Sequence, residues 1–168
     1  TKAMHVYEEF GKKIELIIDG GACEKGIEST VIDARGDNPI ILRHGPITSE
    51  MIENKIKLKV LSNFKIDTVE SPGQLFKHYS PNKKLIINSL KAGKYSSYLG
   101  FKNIMPDKQF KGEALNLSKN GNLEEAAANL FTMIRYLDKN KSKNIMVAPI
   151  PNDGIGIAIN DRLERAAQ

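Results

Sequence analysis

Tryptophan is absent from the 168 residues, Cys23 is the single cysteine, and histidine occurs only as His5, His44 and His78. One cysteine cannot close an internal disulfide, which excludes a disulfide-stapled secreted scaffold. The histidines lie far apart and lack ligand spacing with Cys23, so a metal held by protein side chains alone is not expected. His5 reads as a helix-surface residue. Cys23 reads as a small, semi-buried side chain with no neighbour to activate it as a nucleophile. No apolar run approaches the roughly 20 residues of a membrane span, so no membrane association is expected. No signal peptide is recognisable, and a cytoplasmic location is the expectation. The first residue is threonine rather than methionine, which suggests a piece of a longer protein.

What is present fits a globular domain: 40% hydrophobic and 27% charged residues. The net charge of +5 is unevenly spread. Lys55 to Lys111 holds twelve lysines and three acids, or +9, leaving −4 for the rest. A basic middle can meet a nucleotide or RNA, or can simply be a solvated surface.

Along the chain, Ala3–Phe10 has helical spacing, and Ile14–Ile18 reads as a strand ending at Asp19-Gly20-Gly21. Ser29–Ala34 and Ile40–Arg43 are β-rich runs joined by Arg35-Gly36-Asp37-Asn38-Pro39, which predicts a hairpin. Thr48 is placed to cap a helix from Ser49 to about Asn54. Ile56, Leu58 and Val60 alternate with lysines and read as a half-exposed strand. Periodicity lapses from about Ser62 to Lys84. A second unit then opens with a strand at Leu85–Asn88. Tyr95, Tyr98 and Leu99 have helical spacing, Ala114–Leu117 reads as a strand, and Asn122 with Glu125 forms a capping box for a helix to Asp138. Asn144–Ala148 reads as a buried strand and Ile157–Ala167 as a last amphipathic helix. Strands alternating with helices imply an α/β fold with a parallel, Rossmann-like sheet. The organisation expected is a first unit over 1–62, a linker over 63–84 and a Rossmann-like unit over 85–168.

Several features have modest readings. Gly154-Ile155-Gly156 lacks the third glycine of a dinucleotide fingerprint and reads as tight packing at a helix start. Tyr95, Tyr98 and Phe101 among Lys91, Lys94 and Lys102 could stack on RNA, but such spacing is more often core. Two stretches carry more. In Glu28-Ser29-Thr30-Val31-Ile32-Asp33 and Ile40-Ile41-Leu42-Arg43-His44-Gly45, hydroxyls and an arginine stand at strand ends, where a guanidinium can grip phosphate. The linker Ser71-Pro72-Gly73-Gln74-Leu75-Phe76-Lys77-His78-Tyr79-Ser80-Pro81 is aromatic and basic where linkers are normally small and polar, so it reads as a binding strap.

Together these stretches resemble the threonylcarbamoyl-AMP synthase family, the two-domain form of the YrdC-like enzymes. Gly26-Ile27-Glu28-Ser29-Thr30-Val31-Ile32-Asp33 is similar to its G-x-E-S-T-V-V-D strand, and Ile41-Leu42-Arg43-x-Gly45 to its I-L-R-P-G motif. Ser71-Pro72-Gly73 through Lys77-His78-Tyr79-Ser80-Pro81 is similar to its interdomain linker, and Gly154 to Ala167 to the close of its C-terminal domain. The resemblance implies the C-terminal part of a twisted YrdC-like α/β domain, a linker and a small Rossmann-like domain. It implies a nucleotidyltransferase that joins L-threonine, bicarbonate and ATP into threonylcarbamoyl-AMP, releasing pyrophosphate, with Mg2+ accompanying ATP. The product would pass to tRNA-modifying transferase machinery for threonylcarbamoyladenosine formation. By the same resemblance, Ser29 and Thr30 bind threonine, while Arg43, Lys77, His78 and Tyr79 bind the nucleotide. No residue is assigned as catalytic.

The chain departs from the pattern in two ways. His44 stands where the family commonly has proline, and the proline follows at Pro46. The family's K-x-R and S-x-N motifs, which belong upstream of Thr1, are not found in place. The expectation is therefore the C-terminal portion of the enzyme, inactive alone, with sheet edges that invite self-association. The alternative is a non-catalytic RNA-binding or regulatory module.

Overall fold

Short apolar runs, glycine-rich turns and a few capped helices dictate the local structure. A computed structural model describes residues 1–62 and 80–168 of the chain. The first helix, α1 (Ala3–Phe10), has the expected bounds but buries none of its residues. Its side chains reach a later helix through two ion pairs, Glu8 with Lys139 and Glu9 with Arg135. The predicted hairpin forms from β1 (Val31–Asp33) and β2 (Ile40–Arg43), antiparallel, with an irregularity between Val31 and Ile32. Arg35 folds back on Asp33, with Nε 2.9 Å from Oδ1 and Nη2 2.7 Å from Oδ2. These hydrogen bonds hold the Asp33 carboxyl down at about 2. The helix α2 (Ser49–Ile56) starts where expected, with the Thr48 hydroxyl accepting the Met51 N–H, and runs two residues further.

The second unit holds four parallel strands: β3 (Lys84–Ile86), β4 (Ser96–Gly100), β5 (Ala114–Asn116) and β6 (Asn144–Val147). Their spatial order is β3-β6-β4-β5, so the last strand inserts beside the first. Helix α3 (Leu123–Asp138) crosses between β5 and β6 and packs on β4 and β6, and α4 (Ile155–Ala166) packs on α3. Ala126, Ala127, Leu130, Ile134 and Leu137 of α3 are buried, the face its 3.6-residue period predicts. They meet Tyr98, Leu99, Ile145, Val147, Ile159 and Leu163 in one core. Asn122 caps α3 by accepting the Glu125 N–H. The Glu125 carboxylate is met by the Ser118 hydroxyl, which in turn accepts the Asn122 N–H, so the box closes through a third residue.

Three expected elements differ. Tyr95, Tyr98 and Leu99 are not helical. Ser96–Gly100 is the central strand, buried along its whole length. A parallel strand covered on both faces loses the period-2 signature that would have marked it. Its polar side chains are satisfied locally: Tyr98 Oη donates to Ser89 O at 2.5 Å and Ser96 Oγ to Gly93 O at 2.7 Å. Ile14–Ile18 is not a strand: the chain bends at Ile14 and Glu15, no described segment pairs with it, and Leu16 and Ile18 are 76% and 84% exposed. Ile56–Val60 is not a strand either. Ile56 ends α2, Lys57 turns left-handed at φ 59°, and only Leu61 bridges to Ile40. Among described residues no helix is long and apolar enough to cross a membrane.

Leu130→Ala should destabilise the chain by about 2–5 kcal/mol, because the cavity opens in the fully buried face of α3. Met4→Ala, on the exposed face of α1, should change stability by about 0.5 kcal/mol or less. Urea denaturation of both variants checks the contrast.

Candidate active site

The register of the hairpin sets the geometry of the predicted site. Val31 faces Arg43 across β1 and β2, so the residues just before Val31 lie beside the arginine. Arg43 Nε donates to Ser29 O at 3.1 Å, and its Nη2 donates to Ser29 Oγ at 3.3 Å. The serine hydroxyl accepts in this contact, which leaves its own proton to offer to another group. Ser29 is exposed and Arg43 half-buried, so the pair sits at the surface. Thr30, the other predicted threonine contact, has a partner within the chain. Its hydroxyl donates to Ile47 O at 2.6 Å and pins the loop after β2. Lys77, His78 and Tyr79, the remaining predicted nucleotide contacts, lie outside the described residues.

Gly45 explains how the two stretches come so close. A Cβ there would sit 2.3 Å from Thr30 N and 2.6 Å from Glu28 O, both backbone atoms. Only glycine lets the chain after β2 lie flat on residues 28–30. Gly26 does the same against the second unit. Its φ is 66°, and a Cβ would stand 2.4 Å from Ala127 O on α3.

A buried arginine closes the arrangement from the other side. Arg162 of α4 is 1% exposed. Its Nε donates to Glu28 Oε2 at 2.9 Å and its Nη2 to His44 O at 2.9 Å, while Nη1 meets Asp161 Oδ2. Arg165 holds the other oxygen of Asp161 at 2.9 Å. His44 is half-buried in this neighbourhood. Burial pushes its imidazole below the usual value of 6.5, opposed by the carboxylates of Asp161 and Glu50 and reinforced by Arg162.

A separate cavity of about 790 Å³ lies between α1, the loop through Cys23–Glu28 and α3. His5, Glu9, Arg135 and Asp138 line it, and so does Ser80 at the end of the predicted strap. Neither Ser29 nor Arg43 is among its described lining residues. His5 is half-buried here, with Nδ1 3.0 Å from Thr1 Oγ1, rather than a plain surface residue. Cys23 is exposed rather than semi-buried, because its loop packs through Gly26 instead. Of the aromatic and basic group near the second unit, Tyr98 and Phe101 are core and only Tyr95 is exposed, with Lys94 and Lys143 over its ring at 5.4 and 5.3 Å. Gly154-Ile155-Gly156 serves packing, as expected: a Cβ on Gly156 would meet Pro151 O at 2.1 Å.

Residues 47–168 match the family profile described as threonylcarbamoyl-AMP synthase, C-terminal domain. The chain belongs to the threonylcarbamoyl-AMP synthase family. Residues 1–45 match a second profile, described as telomere recombination. Relatives named threonylcarbamoyl-AMP synthase come from Schizosaccharomyces pombe (32% identical over 99% of this chain), Pyrococcus abyssi (30% over 99%) and Bacillus subtilis (31% over 99%). The chain covers 48%, 53% and 53% of them respectively, and so spans about half their length. The crystal structure of P. abyssi Sua5 complexed with L-threonine matches with a TM-score of 0.82 at 29% identity, over 99% of this chain and 53% of that one. A P. abyssi Sua5 variant with adjacent histidine and tyrosine both replaced by alanine matches with the same TM-score at 28% identity, over 99% and 52%.

Within the family's G-x-E-S-T stretch, Glu28 is thus the anchor for α4, a role that the motif alone does not convey. The signal for Arg162 was in its helix. Ile155, Ala158, Ile159, Leu163 and Ala166 form an apolar stripe, and Arg162 falls on it. A charge on a buried stripe demands partners from elsewhere in the fold.

The lowered His44 value fixes the sign of a pH effect. The unfolded chain binds the imidazole proton more readily, so stability is fully present above 6.5 and is lost as pH falls from 6.5 toward the folded-state value. The urea midpoint should fall more steeply in wild type than in His44→Gln between about pH 7 and about pH 5.

Proposed function

We propose that these residues form one wall of the site of a threonylcarbamoyl-AMP synthase. The reaction joins L-threonine, bicarbonate and ATP into threonylcarbamoyl-AMP and pyrophosphate. The reading is supported chiefly by one observation, the contact between Arg43 Nη2 and Ser29 Oγ at 3.3 Å. Ser29 is proposed to bind threonine and Arg43 the nucleotide. Their contact supports a reading in which the amino acid and the triphosphate lie side by side, as the reaction requires. Threonine's amine attacks the carbon of bicarbonate, and water leaves to give a carbamate. A carbamate oxygen then attacks the α-phosphorus, and the bond to the β-phosphate breaks to release pyrophosphate. Both partners are anions, so aligning them and offsetting their charge should dominate the rate enhancement. Arg43 supplies a fixed cationic fork for that purpose. Thr30 is proposed to bind threonine beside Ser29, while its own hydroxyl proton goes to Ile47 O.

Mg2+ is taken to arrive with ATP as part of the substrate. The single adjacent His-Tyr pair of the chain, His78-Tyr79, is proposed with Lys77 to close over the nucleotide and limit hydrolysis of the mixed anhydride. The product is proposed to serve tRNA threonylcarbamoyladenosine formation in the cytoplasm, through a downstream transferase. Because the relatives are about twice as long, the activity is proposed for these residues together with the other half that the relatives possess.

The test is pyrophosphate release by the complete protein. Release should require ATP, L-threonine and bicarbonate together. Arg43→Ala should lower kcat/KM for ATP by about 10- to 100-fold, with Arg43→Lys recovering only part. Ser29→Ala should act mainly on KM for threonine. Release that ignores threonine, or that survives Arg43→Ala unchanged, would falsify the proposal.

A further inference from the structure

Arg162 lies on the apolar stripe of α4, yet its donors leave that helix. Nε points to Glu28 and Nη2 to the carbonyl of His44. Each of these is the immediate neighbour of a proposed substrate-binding residue: Glu28 precedes Ser29 and His44 follows Arg43. Ser29 and Arg43 are themselves joined by two hydrogen bonds. The contacts therefore close a ring, from Arg162 through Glu28, Ser29, Arg43 and His44 back to Arg162. The ring has little slack. Gly45 presses on the backbone of residues 28–30, and Gly26 presses on α3, so neither stretch can shift alone. Asp161, held by Arg165, fixes the third side of the guanidinium.

We propose that Arg162 is a positioning residue: by gripping Glu28 and the His44 carbonyl at once, α4 sets the separation of Ser29 and Arg43 across the site. The second unit would then hold the substrate wall in register rather than merely extend the chain. The substrate roles of Ser29 and Arg43 rest on the function proposed above, whereas the coupling of Arg162 to their geometry does not. Only a planar fork can reach a carboxylate, a carbonyl and an adjacent aspartate from one position. A lysine keeps the charge and loses that reach.

The experiment uses the complete protein and the variants Arg162→Lys, Arg162→Gln and Glu28→Gln. The first measurement needs no substrate. The Arg43 Nε–H, bonded to Ser29 O, is followed by nitrogen–proton correlation spectroscopy, and its exchange with water is timed. All three variants should shift this signal and speed its exchange by about 10-fold or more, with Arg162→Lys failing to restore it. The second measurement is steady-state pyrophosphate release. Folded variants should show a KM for ATP or threonine raised by about 10- to 100-fold, because sub-ångström misplacement of binding groups is felt there. A purely stabilising ion pair would leave both readouts of the folded fraction unchanged. An Arg43 signal indistinguishable from wild type in folded Arg162→Lys overturns the inference, whatever the activity. If the signal moves but wild type releases no pyrophosphate with threonine, the coupling stands and the proposed function fails. Should the Arg162 variants not fold, Glu28→Gln decides on the same two readouts, since it keeps side-chain size and removes only the charge.

Discussion

A guanidinium withdrawn from water is costly unless its donors are met, and Arg162, 1% exposed, meets them with Glu28, the His44 carbonyl and Asp161. The first 62 residues have few other means of keeping their place. Ile41 and Val60 are the only large apolar side chains buried there, whereas the second unit gathers most of its helices and strands around one core. Apart from Ile27, which packs on the core of the second unit, the segment is held largely by polar and backbone contacts to a platform that it did not build. That makes its geometry specific, since hydrogen bonds and glycine-tight approaches fix direction where an apolar face would tolerate sliding.

The platform itself is ordinary in its physics. A parallel sheet whose central strand is covered on both faces provides a rigid base, and α3 and α4 stack on it with their apolar stripes inward. A firm base lets a charged side chain on α4 act as a fixed point for the loops its guanidinium reaches. The stretch that carries Ser29 and Arg43 and the second unit are in this sense one device.

Much of this was legible in the residues. The hairpin, the capped helix α3 and its buried face, the cap at Thr48, the strands at Ala114 and Asn144 and the parallel sheet follow from turn chemistry and apolar spacing. Ser96–Gly100 was not, because a strand buried on both sides carries no alternation and Tyr95, Tyr98 and Leu99 happen to fall at helical intervals. Ile14–Ile18 alternates like a strand, but a strand exists only with a partner, and pairing is invisible in a local pattern. At the site, Ser29 and Arg43 could be named from their positions at strand ends. Arg162 could be seen as anomalous on its stripe, but its partners are more than a hundred residues away in sequence, beyond any local rule.

Helix α1 is fastened differently from everything else. It buries no side chain, and its described ties to α3 are the Glu8–Lys139 and Glu9–Arg135 pairs at the surface. Ionic strength therefore reaches it selectively. At about 1 M salt the screening length shrinks to roughly 3 Å, which dissolves attractions of this kind while leaving an apolar interior untouched. The same molecule would then have two resistances to its medium, a sheet indifferent to electrolyte and an N-terminal arm whose attachment a dilute buffer strengthens and a concentrated one loosens.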